Sequence, residues 1–187
     1  GGGPLVFLPL IEHLGIVPAI QRAGFPKTSV LSDVASVMSL LALKLLGNER
    51  LSHDAPYSFD RALGLFAGLN VLPKNATLSS YSYRVCREQN LALLREISGI
   101  FQTDDCVDDT FNMDFKAIPH WGDESVLENN WAGMRSKRIK SLLALLVQNP
   151  DTGMLVYSDA CIRHRNENNA VLEFVDFWKE GQNKSPK

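Results

Sequence analysis

A chain of 187 residues, 45% of them hydrophobic, can hold one medium domain or two small ones. Its formal net charge of −2 excludes a generally basic nucleic-acid coat, so charge has to be read segment by segment. Three widely spaced cysteines, Cys86, Cys106 and Cys161, form no CxxC or Cys/His ligand pattern and predict a reduced, cytoplasmic protein in which each thiol is a small buried apolar residue.

The chain begins GGGPLV without Met and stops at NKSPK directly after a predicted helix, so both ends read as cut. Residues 5 to about 102 carry helical patterns. LVFLPLIEHLG has helical apolar spacing with Gly15 as a stop, and GIVPAIQRAG follows with Pro18 in a first turn. SVLSDVASVMSLLALKLLGN is longer and closes on Gly47 and Asn48. Its apolar run VMSLLALKLLG is too short for a membrane span and contains Lys44, which predicts a core helix. SFDRALGLFAGLN opens on Ser58 as N-cap with Asp60 in the first turn. After the turn NVLPKNAT, LSSYSYRVCREQNLALLREISGIF reads as one helix capped by Thr77 or Ser79.

Two helices joined by a short polar turn, the second opening on small hydrogen-bonding residues, is how a helix-turn-helix presents itself to a DNA major groove. On this pattern Ser79, Ser80, Tyr81, Tyr83, Arg84 and Arg87 are the candidate readers, with Lys74 in the turn for phosphate. Ordinary bundle packing produces the same pattern, with Tyr81 and Tyr83 in the core.

Charge then separates sharply. From Asp104 to Asn130 eight acids face one base, Lys116, for a local charge of −7. WAGMRSKRIK follows with Arg135, Lys137, Arg138 and Lys140 and no acid. Solvated surface accounts for such runs unless a site lies between them.

Near residue 107 the period changes from helical to two. In TFNMDFKAIPHW, Phe111, Met113, Phe115 and Ala117 fall on one face and Asn112, Asp114 and Lys116 on the other. RIKSLLALLVQNPDTGMLVYSDACIRH gives two apolar runs around PDTG, a hairpin with Gly153 at a positive φ. Asn166 or Asn168 caps AVLEFVDFWKEG, in which Val171, Leu172, Val175 and Trp178 make the apolar face and Gly181 is the stop. The expected class is α+β: a helical region over 1–106, suited to DNA binding or dimerisation, and strand, strand, strand, helix over 107–187.

Asp114 at the centre of the first strand is a solvent-face acid, a partner for Lys116 or Arg138, or a metal ligand with other carboxylates converging on it. Asp123 and Glu124 fall in a loop, and Asp159 alternates in the third strand. His120 and His164 lack a Ser or Cys partner at any motif spacing, so no nucleophile is assigned.

Taken in order, LALKLLGNERLSHDAPYSFDRALGLFAGLNVLPKNATLSSYSYR, FNMDFKAIPHWGDESVLENNWAGMRSKRIKSLLALLVQNPDTGMLVYSDACIRHRNENNAVLEFVDFW resemble a prokaryotic insertion-sequence transposase of the DDE type. The resemblance runs from about Leu31 to Lys187 and is most specific from Phe111 to Trp178. It implies an RNase H-like catalytic domain whose first strand bears the first catalytic Asp, at Asp114. It further implies Mg2+ as cofactor, the ends of a double-stranded DNA element as substrate, homo-oligomers, phosphate contacts from Arg135, Lys137, Arg138 and Lys140, and no membrane partner. The second Asp and the Glu of that triad match no residue here. Two Mg2+ ions need converging carboxylates, so the expectation is a fragment inactive by itself. The alternatives are a non-catalytic DNA-binding or regulatory transposase fragment, and a helical interaction protein with no DNA role.

Overall fold

The computed structural model describes residues 2–48, 51–53, 55–103, 107–120, 127–133 and 136–182. It divides into two compact units, Gly1–Leu93 and Leu94–Lys187. Among the described residues no single helix is long and apolar enough to cross a membrane. The bent pair Gly3–His13 and Ile16–Ala23 reaches that length and apolarity only when taken together; in it Ile11, Ala19, Ile20 and Ala23 are buried and Val6, Phe7 and Leu10 are exposed.

The first unit is helical. Helices α1 (Leu8–His13) and α2 (Ile16–Ala23) are separated by Gly15 at φ 65°, a left-handed conformation that needs no Cβ. Helix α3 (Asp33–Leu45) starts where the Ser32 hydroxyl accepts the Ala35 N–H at 3.1 Å. It ends on Gly47, whose N–H donates to Lys44 while that of Asn48 donates to Leu43. Ile11, Ile20, Phe25, Met38, Leu43, Leu63, Phe66, Leu72 and Leu78 make the core.

Three expectations change here. Helix α4 (Arg61–Phe66) is capped by Asp60 and not by Ser58: the Asp60 carboxylate accepts the Leu63 N–H at 2.9 Å. The backbone of residues 58–60 is diverted from helix because Phe59 donates to Leu72 C=O and Leu72 donates to Asp60 C=O. The long helix expected from Thr77 or Ser79 onward is two helices, α5 (Asn75–Ser82) and α6 (Arg87–Thr103). The Gln89 side chain reaches back to accept the Cys86 N–H at 3.0 Å and so starts a new helix. Cys86, expected in the core, is exposed. Cys106 and the side chain of Cys161 lie outside the described residues.

The second unit is a four-stranded antiparallel sheet with α7 (Glu167–Gln182) and the end of α6. Strand β3 (Lys137–Gln148) is central: β1 (Asn112–Pro119) pairs with its residues 141–148, and β4 (Leu155–Ile162) and the short β2 (Asn129–Ala132) also pair with it. Alternate residues of a strand turn their backbone groups to opposite edges. Lys140 C=O accepts from His120 and Ser141 N–H donates to Glu128, so β1 takes one edge of β3 and β2 takes the other. The β3–β4 hairpin turns through Gly153 at φ 69°, as its sequence predicts. β2 has no counterpart in the sequence reading.

An aromatic cluster of Phe111, Tyr157, Phe174, Phe177 and Trp178 joins α7 to the sheet, with ring centroids 4.5–6.3 Å apart. The buried face of α7 is therefore Ala170, Phe174, Phe177 and Trp178, whereas Leu172, expected on it, is 60% exposed. Gly181 does not stop α7, which continues to Gln182. Within α6, the Ser98 hydroxyl donates to Val156 C=O and Arg95 pairs with Glu180 at 2.6 Å. The unit boundary thus falls inside a helix, at 93/94, where the sequence reading places a boundary at residue 106.

Candidate nucleic-acid interface

In the first unit, α5 turns Leu78 and Tyr81 inward and packs against α3. Tyr81 is 1% exposed, and burial beside Asp33 pushes its phenol pKa up. It is a core residue and cannot read DNA from this position, which corrects its place among the candidates. Lys74, Ser80, Tyr83, Arg84 and Arg87 are exposed, and Ser79 is half-buried. The Lys74 ammonium sits 5.2 Å from the centroid of the Phe59 ring.

In the second unit, the register decides which side chains share a face. Asp114 pairs with Leu146, Lys116 with Ala144 and Ile118 with Leu142, while Arg138 pairs with Trp131 and Lys140 with Asn129. Side chains two apart in a strand point the same way, so Asp114, Lys116 and Ile118 of β1 share a face with Arg138 and Lys140 of β3 and Trp131 of β2. All six are exposed. Lys137 is exposed on the alternate parity, and Arg135 lies outside the described residues.

An open groove of about 790 Å3 is lined by Asp114–Pro119 of β1 and by Trp131, Ala132 and Gly133 at the tip of the β2–β3 hairpin. The expected apolar side of β1 is only partly realised: Phe115 and Ala117 are half-buried, and Met113 is exposed. Among the described residues Asp114 makes no ion pair with Lys116 or Arg138. Lys116 stands two residues along the same strand, about 7 Å away.

The same register puts Asp159, opposite Leu145, on the other face from Asp114. Asp123 and Glu124 lie outside the described residues. Among the described residues no three His, Cys, Asp or Glu side chains group to hold a metal ion. Asp114 alone does not fit a two-metal centre, which needs converging carboxylates.

Three further residues, Trp131, His120 and His164, stand out in the structure. Trp131, 60% exposed, lies in the basic strip, where an aromatic among cations was its visible signal. His120 directly follows β1, with its Nε2 shielded and unpartnered among the described residues. His164 is anchored to its surroundings: its N–H donates to the Glu128 carboxylate at 2.8 Å, and its Nδ1 lies 2.6 Å from Glu167. The Glu167 contact raises its pKa above the ordinary histidine value.

Compared with protein families, curated proteins and solved structures, the chain shows no significant match.

Proposed function

We propose that this chain is part of a DDE-type transposase that grips DNA, with Asp114 as the first carboxylate of a metal centre whose second Asp and Glu match no residue of this chain. The observation that carries this reading is the placement of Asp114. It is the third residue of β1, lining an open groove, on the face that also presents Lys116, Arg138 and Lys140. The antiparallel order β1–β3–β4 is the opening that an RNase H-like domain requires, and it supports the reading. What these residues themselves supply is phosphate binding by cations and one fixed carboxylate.

The test is binding of blunt duplex DNA by the 187-residue chain across a salt series. The expected result is an affinity that falls steeply with salt, with a log–log slope reduced by about 2 in the double variant Arg138→Ala, Lys140→Ala. Exposed Lys74, Arg84 and Arg87 of the helical unit contribute to the same slope in this reading. A folded chain that binds no duplex at low salt would favour the helical interaction protein with no DNA role.

A further inference from the structure

We infer that the groove beside β1 holds a single-stranded DNA segment, with one unpaired base stacked on Trp131; the inference rests on the DNA reading above. Trp131 presents a 60% exposed indole at the groove wall formed by Trp131–Gly133. Across the β2–β3 ladder it faces Arg138, and Lys140 and Lys116 follow on the same face of the sheet. Among the described residues, three cations and one aromatic on one sheet face, against the single acid Asp114, are complementary to a phosphate backbone with bases splayed from it.

A duplex cannot use this indole, because both faces of each internal base are already stacked on neighbours. An unpaired base has a free face, so stacking on Trp131 selects for single strands, frayed ends and overhangs. The plainer role for Trp131 is to cover the stem of its cross-strand neighbour Arg138. That role involves no nucleic acid.

The experiment uses the 187-residue chain with a fluorescent dT oligonucleotide and a blunt DNA hairpin at low salt. Wild type is expected to bind both. Trp131→Ala is expected to weaken dT binding by at least about tenfold while hairpin binding changes less than about twofold, and Trp131→Phe is expected to retain most dT affinity. Circular dichroism checks the fold of each variant. Should Trp131→Ala unfold, tryptophan emission in a Trp121→Phe background decides: Trp178 is buried, so quenching by dT reports on Trp131. Equal dT affinity in wild type and Trp131→Ala, or emission indifferent to dT in that background, overturns the inference. Hairpin binding without dT binding overturns it and leaves the proposed function standing. Binding of neither overturns both.

Discussion

Asn149 shows how one side chain organises a turn. It is 1% exposed at the end of β3, and its amide nitrogen donates to the Asp108 carboxylate at 2.7 Å. Its carbonyl oxygen accepts from the backbone of Asp151 and Thr152 and from the Thr152 hydroxyl. Truncation removes all of these bonds, but their partners Asp108, Asp151 and Thr152 are exposed to water, so Asn149→Ala is expected to cost about 1 to 2 kcal/mol in urea unfolding. Asn149→Asp keeps the acceptor but sets a carboxylate against Asp108, and is expected to be no milder. His164 allows a second residue-scale prediction. Its folded pKa is raised, chiefly by the Glu167 hydrogen bond. A raised pKa means the protonated form is favoured in the folded state. The stabilisation is full below the unfolded histidine pKa and is lost as pH rises through the folded value. Glu167→Gln is expected to lower the His164 pKa in an NMR titration, and its destabilisation relative to wild type is expected to shrink as pH rises through that window.

Among the elements, α4 depends on a close backbone approach. A Cβ on Gly64 would lie 2.4 Å from Val71 Cα and 2.5 Å from Val71 C and N, all backbone atoms that cannot rotate away. Gly64→Ala is therefore expected to destabilise by at least about 1 to 3 kcal/mol in thermal unfolding. Gly68, at φ +73° with open space around its Cβ position, provides the contrast. Its cost on substitution by Ala is conformational only, about 1 to 2 kcal/mol. The α5–α6 break was missed because no glycine or proline marks it: Ser82, Tyr83, Arg84 and Val85 all tolerate helix. Gln89 capping Cys86 ends the ambiguity, and the same Gln89 amide donates to Gly24 C=O, a contact 65 residues away in sequence.

At the scale of the whole chain, catalysis needs more carboxylates than the described residues bring together around Asp114. The isolated 187-residue protein is expected to show no Mg2+-dependent nicking or strand transfer on supercoiled plasmid or element-end duplexes, and sustained metal-dependent nicking by pure protein would refute this. By itself the sequence determined the α+β class, the helical character of the first half, the Gly47 stop of α3, and the β3–β4 hairpin around Gly153. These follow from periodicity and turn chemistry, which act over a few residues. Only tertiary structure decided that Tyr81 is core, that Phe174 and Phe177 replace Leu172 on the buried face of α7, and that β2 exists. The same holds for the face that Trp131, Arg138, Lys140 and Asp114 share. Strand register and burial are set by partners distant in sequence, and a shift of one residue in the β1–β3 pairing would send every one of the β1 side chains to the other side.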